Sequence, residues 1–232
     1  MNVYGAYGKD DTVKPDPFIL SIVDAGFVYA TVHVRGGGFL GGEWYRAGKG
    51  INKWNSINDL INGVNYLINQ KIVSKDHIGL ITSSAGGIVA GAALNEDNNL
   101  FKSMLLFSPF VDPYGNLMRG DDPLAKTEIL EWGDITIPEI QKYIRSYSPM
   151  QNIYKAKGSK TTVISLLGSK DIYINNDDVI MWSNSLRELG IHSLVYLNPN
   201  AGHSGLNNED NKLAINVVNY FLEQIGTKNC CE

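Results

Sequence analysis

The segment Ile81-Thr82-Ser83-Ser84-Ala85-Gly86-Gly87 joins a short apolar run to a stretch of small, helix-compatible residues. A serine at such a junction is lifted above a sheet by a sharp, strained turn when its neighbours are small enough for strand and helix to approach closely. Gly86 supplies the second half of the G-x-S-x-G pattern around Ser84, whereas Thr82 stands where the first glycine belongs. The Cβ branch of Thr82 crowds the turn without forbidding it. The competing interpretation of the same residues is a helix N-cap followed by small packing side chains.

A serine hydroxyl is a poor nucleophile until a base takes its proton. Four histidines are available. His33 falls inside the apolar run 28–34 and reads as packed core, while His77 and His192 precede strands and so belong at their amino ends. His203, in Asn200-Ala201-Gly202-His203-Ser204-Gly205, follows the last strand and is the candidate base. A carboxylate is then needed to fix the imidazole tautomer and stabilise its charged form. Asp171, just after the run 161–167, is placed to do so; its alternative work is to start a loop or cap a helix, which Asp177 and Asp178 could share. The order Ser84, Asp171, His203 is the order in which α/β-hydrolases carry their triad. Donors for a developing oxyanion would come from the Ala85 amide and from Tyr4 or Tyr7, which flank Gly5. Rim aromatics of amphipathic character are the plainer interpretation of both tyrosines. Arg35, opening the glycine run Gly36-Gly37-Gly38, is a further candidate for contact with substrate.

These residues need a scaffold that brings three distant segments to one edge. β-branched or continuous apolar runs at 28–34, 78–81, 102–108, 161–167 and 193–197 alternate with helical periodicity at 57–68, 85–94, 178–189 and 209–225. Asn55 or Ser56 is the expected N-cap of the first of these helices. Strand and helix in alternation specify a parallel sheet with helices on both faces, and strands covered on both sides read as unbroken apolar runs. Residues 109–148 loosen into Pro, Asp and Gly punctuation and read as an insertion over the sheet. The fold class is α/β, as one domain over 1–232. The chain opens almost inside a strand, at 3–8, which implies that the first strands of a longer parent are missing.

Lys and Arg total 20 against 24 Asp and Glu, so the formal charge of −4 provides no basic surface for nucleic acid or anionic membrane. The longest apolar runs fall far short of the roughly 20 residues of a membrane span, and no basic-then-apolar leader opens the chain. Cys230 and Cys231 are adjacent and make neither a metal-binding pattern nor an ordinary disulfide, which suits a reducing, cytoplasmic compartment.

Several ordered motifs resemble the prolyl oligopeptidase family of serine peptidases, most closely its oligopeptidase B branch. Tyr4-Gly5-Ala6-Tyr7-Gly8 is similar to the family's YGxYG segment, and residues 32–38 with Leu40-Gly41 and Trp44-Tyr45 resemble HVRGGGELG..WY. Ser84-Ala85-Gly86-Gly87 resembles the second half of GGSAGG; Glu131-Trp132-Gly133, Ser146-Tyr147-Ser148-Pro149 and Ala201-Gly202-His203 match further motifs. The resemblance implies an α/β-hydrolase domain without cofactor or metal. In it Ser84 is nucleophile, Asp171 orienter and His203 base, the oxyanion is held by Ala85 and a tyrosine (Tyr7 in preference to Tyr4), and a short peptide is substrate. It also implies Glu128 as a carboxylate of the primary specificity pocket, suited to Arg or Lys. Departures weaken that basic preference. Leu130 replaces the second pocket glutamate, Phe39 replaces another glutamate, and Thr12 and Lys14 stand for an acidic pair, with Asp10 and Asp11 displaced nearby. The family's N-terminal β-propeller is not in this sequence, so an inactive hydrolase-fold fragment and a carboxylesterase-like acyl hydrolase are the alternative functions.

Overall fold

The computed structural model describes residues 1–9, 16–120, 125–206 and 212–226. Among these, four strands form one parallel sheet in the order β1 (Gly79–Ser83), β2 (Ser103–Phe107), β3 (Thr162–Gly168), β4 (Ser193–Asn198). Parallel neighbours need long crossovers. Helix α4 (Gly86–Glu96) makes the first, and α8 (Asn176–Glu188) the last. The middle crossover contains α5 (Pro113–Arg119), α6 (Ala125–Trp132) and α7 (Pro138–Tyr147).

Alternation along the strands feeds two hydrophobic layers. Leu80, Met104 and Val163, in register across β1 to β3, face Ile57, Leu60 and Val64 of α3 (Lys53–Asn69) together with Ile88 of α4 and Trp182 of α8. Their neighbours Ile81, Leu105 and Ile164 face the other way, onto Val217, Phe221 and Ile225 of α9 (Lys212–Ile225) and Ile22 of α1 (Pro17–Asp24). Every residue of β3 is buried, as expected of a strand paired on both sides and covered on both faces.

The sheet continues past β1 only as isolated bridges. Asn2 pairs with Ile81 on one side and with Thr31 on the other, through Asn2 N–H to Ala30 O (2.8 Å) and Val32 N–H to Asn2 O (2.9 Å). The strands expected at 3–8 and 28–34 do not form ladders. Positive φ at Gly5 (75°) and Tyr7 (55°) turns the first segment away. In the second, the Val34 amide bonds back to Val32 O at 3.0 Å, a γ-turn that ends extension. β-branched side chains favour a strand there, but among the described residues only Asn2 bridges to it.

The structure adds detail in the insertion and at the helix starts. The insertion is helical: Pro113 and Pro138 start α5 and α7 at the position where a missing N–H costs nothing. Helix α3 begins at Lys53, ahead of the expected cap; Asn55 instead bonds Ala47 O (2.9 Å), and the buried Ser56 hydroxyl bonds Arg35 O (2.5 Å). Helices α1 and α2 (Gly42–Arg46) were not anticipated. Asp10, Asp11, Thr12, Lys14, Cys230, Cys231 and the first residues of the helix expected from 209 lie outside the described residues. No described helix is long and apolar enough to cross a membrane.

Candidate active site

Ser84 sits where β1 turns into α4, with φ +50°, a conformation that non-glycine residues rarely adopt. The turn is locked by its own backbone. Ser84 N–H donates to Phe107 O (2.9 Å), and Ser84 O accepts from Phe110 N–H (2.8 Å) and Gly87 N–H (2.9 Å). The two glycines that follow are sterically required. A Cβ on Gly86 would lie 1.9 Å from Thr82 Oγ1, and one on Gly87 would lie 2.7 Å from Pro109 Cβ and 2.8 Å from Phe110 N. Thr82 does not spoil the turn, because it is a buried β1 residue whose hydroxyl donates to Val3 O at 2.5 Å. Ala85 caps α4 without a side-chain bond, and its N–H belongs to the first-turn amides that have no intrahelical acceptor.

Asp171 lies in the loop after β3, its side chain 0% exposed. Oδ1 accepts from the amides of Tyr173 (2.9 Å) and Ile174 (3.1 Å). His203, in the loop after β4, donates from Nδ1 to Asp171 Oδ2 at 2.9 Å. Burial works against the carboxylate's charge but is outweighed by the Tyr173 amide, the His203 ring, the Ile174 amide and the nearby Ser108 hydroxyl, so its pKa falls below the usual value. The two loops are tied together by Lys170 N–H to Ala201 O (2.8 Å) and Ser169 N–H to Asn198 O (3.1 Å). The Tyr173 ring meets the imidazole edge to face, with centroids 5.2 Å apart. Ser84, Asp171 and His203 thus all stand beyond carboxyl ends of strands, where ligands bind in open α/β sheets. Among the described residues, no hydrogen bond joins the Ser84 hydroxyl to His203; such bonds often tighten only when substrate arrives.

The other expected residues make contacts of their own. Tyr7 donates its hydroxyl to Glu128 Oε1 and Oε2 (3.0 and 3.1 Å). Its pKa is driven well up by burial and then by the Glu128 charge. Glu128, expected as an open pocket carboxylate, is buried at 4% exposure and also accepts from the Trp132 indole. Arg35, expected at substrate, makes a bidentate pair with Asp59 of α3: Nε to Oδ2 at 2.8 Å and Nη2 to Oδ1 at 2.6 Å. It thereby pins the start of the glycine run to that helix. Tyr4 is partly buried against the core, with Lys9 Nζ 4.0 Å above its ring. Of the remaining histidines, His33 stacks on Phe39 (centroids 3.7 Å apart), and His77 bonds Ile225 O at 2.8 Å.

Sequence reasoning missed Lys53, and it named Glu131 only as part of a motif, without its contacts. Both are essentially fully buried, and both reach the loop that carries the two tyrosines. Lys53 had a legible signal: it shares the apolar stripe of Ile57, Leu60 and Val64. A cavity of about 500 Å³ lies toward the amino end of the sheet, lined by residues such as Phe27, Leu67, Ile78 and Phe221; Ser84, Asp171 and His203 do not line it.

A parallel sheet with helices on both faces, a strained serine turn and an Asp–His pair beyond the same strand ends define a domain of the α/β-hydrolase fold. Known proteins agree. The profile of the prolyl oligopeptidase family matches residues 16–228. Protease 2 of Moraxella lacunata is 32% identical over 97% of this chain and 33% of its own length. Dipeptidyl aminopeptidase BI of Pseudoxanthomonas mexicana is 31% identical over 96% of this chain and 31% of its own length. Among solved structures, oligopeptidase B from Trypanosoma brucei with covalently bound antipain superposes with a TM-score of 0.85 at 27% identity, covering 100% of this chain and 33% of that one. The chain belongs to the prolyl oligopeptidase family, and it spans about a third of the length of these relatives.

Proposed function

We propose that this chain carries the catalytic machinery of a serine peptidase acting on short peptides. Ser84 Oγ attacks the scissile carbonyl while His203 Nε2 takes its proton, then returns it to the leaving amine. Asp171 remains ionised throughout, holding Nδ1–H so that Nε2 is the basic nitrogen. The Ala85 amide donates to the oxyanion. For the second donor we assign Tyr4 in place of Tyr7, because the Tyr7 hydroxyl already donates to both oxygens of Glu128. Acyl transfer of this kind calls on no metal or organic cofactor.

The observation that carries the reading is the 2.9 Å bond between His203 and the buried Asp171, at the same sheet edge as the strained Ser84 turn. An isolated loop aspartate would not need a histidine partner. Preference for Arg or Lys is weak in this reading. Glu128 is already bonded by Tyr7 and Trp132, and Leu130 stands 70% exposed where a second carboxylate would be needed. A site with one carboxylate of two rejects a poorly paired cation.

The test combines a fluorophosphonate probe with hydrolysis of Arg-, Pro- and simple acyl-linked aryl substrates. Labelling at Ser84, and turnover lost in Ser84→Ala, are expected. Folded protein that neither labels nor turns over any of these substrates would overturn the peptidase reading. Turnover of simple acyl esters alone would move it to an acyl hydrolase of non-peptide substrates.

A further inference from the structure

Beneath the Tyr4 to Gly8 loop lies a buried ionic network with no part in the proton transfers above. Lys53 is 0% exposed and donates to Gly5 O at 2.8 Å. Its Nζ lies 4.9 Å from the centre of the Trp132 ring. Burial pulls its ammonium down to about 8, against the opposing charge of Glu131. Glu131, 1% exposed, lies 3.9 Å from Lys53 Nζ and accepts from Tyr7 N–H (3.0 Å) and from the Tyr45 hydroxyl (2.7 Å).

Two features argue that this pair acts on geometry. A buried ion pair is a poor way to gain stability, since well-packed apolar residues of similar volume commonly do as well or better. Its bonds also land on the backbone of one loop, at Gly5 and Tyr7, which hold φ of +75° and +55°. Non-glycine residues in such conformations persist only where surrounding structure over-determines them. Helix α6 grips Tyr7 twice within one turn, with Glu131 on its amide and Glu128 on its hydroxyl. Lys53, from α3, holds the same loop from below.

We infer that Lys53 and Glu131 are positioning residues that set the Tyr4 to Gly8 loop, and with it the Tyr4 hydroxyl, against the oxyanion formed at Ser84. This rests on the assignment of Ser84 and Tyr4 above. Rigid placement of a donor is what makes it effective, since a mispositioned dipole stabilises developing charge poorly.

The experiment is a double-mutant cycle on aryl ester hydrolysis, using Lys53→Met, Glu131→Gln, their combination and Tyr4→Phe. Each single substitution in the pair is expected to lower kcat about tenfold or more, with KM within about twofold. In the Tyr4→Phe background the same substitutions are expected to add less than about twofold, because the hydroxyl they position is gone. Additive effects on log kcat, or unchanged kcat in the folded single variants, would overturn the positioning role. Glu131→Gln retains an oxygen for the Tyr7 amide, so it carries the test if Lys53→Met does not fold; failure of every pair variant to fold would assign the pair to stability alone. Tyr4→Phe with undiminished kcat would sink the donor assignment itself. Additivity alongside a normal Tyr4→Phe loss would sink only the inference about Lys53 and Glu131.

Discussion

Gly168→Ala isolates the coupling between the Asp171 and His203 loops. Gly168 ends β3, and its φ lies outside the left-handed region, so alanine can adopt the backbone without strain. The added Cβ, however, would fall 2.0 Å from Gly202 O, 2.5 Å from Ala201 O and 2.7 Å from Ala201 C. Contacts of that kind essentially never fall below 3.0 Å, so one partner must move by about 1 Å. Strand β3 is buried throughout and paired on both sides, whereas the 201–202 loop is held by a few bonds, including Lys170 N–H to Ala201 O. The loop therefore yields. His203 is the next residue, and its 2.9 Å bond to Asp171 opens with it. A misplacement of about 1 Å costs on the order of 100-fold in rate, or about 2.7 kcal/mol of barrier. Overpacking costs a further ~1–3 kcal/mol of stability, which a domain of ordinary stability survives. Gly202→Ala is the control in the same loop, since a Cβ there meets nothing within 4 Å and needs no left-handed backbone. Steady-state ester hydrolysis, fluorophosphonate labelling rates and thermal melts would be measured for both. Wild-type rates in folded Gly168→Ala, or equal losses in the two variants, would refute the argument that loop packing sets the Asp–His geometry.

Asp171→Asn preserves size but removes the charge that fixes the His203 tautomer; kcat is expected to fall on the order of 10³ to 10⁴, with KM little changed in steady-state assays. Thr82→Ala removes the buried donor to Val3 O, and the orphaned carbonyl is expected to cost about 1–3 kcal/mol in denaturant titrations. Unaltered stability would show that water reaches this site. Lys53 provides a pH signature. Its pKa falls from 10.5 to about 8 on folding, so between those values the unfolded chain binds more protons, and stability rises with pH across that window. The increment approaches a few kcal/mol. Subtracting the profile of Lys53→Met from that of wild type should isolate it, and a flat difference would contradict the burial of a charged lysine.

The crossover pattern of the sheet was legible along the chain because a strand covered on both faces has little choice of composition. The runs at 78–81, 102–108, 161–167 and 193–197 correspond to β1 to β4 within a residue or two. Ser84, His203 and Asp171 could be picked out for a related reason: in a parallel sheet the residue after a strand is committed to the carboxyl edge. Other features depended on partners that sequence periodicity does not reveal. The run 28–34 has strand composition but, among the described residues, bridges only to Asn2, and the helices of the insertion start at prolines that read as loop punctuation.

Chain order and local composition determined which groups arrive at the edge; only packing across distant segments decided what each one does there. Arg35 and Glu128 have the charges expected of substrate contacts, yet Asp59 takes the one, and Tyr7 with Trp132 takes the other. A carboxylate or guanidinium near the protein interior bonds with whichever complementary group lies within reach. That group can be more than a hundred residues away along the chain, as Glu128 is from Tyr7. Bonds of the same long-range kind tie Lys53 of α3 and Glu131 of α6 to Gly5 O and the Tyr7 amide, on the loop that carries both tyrosines.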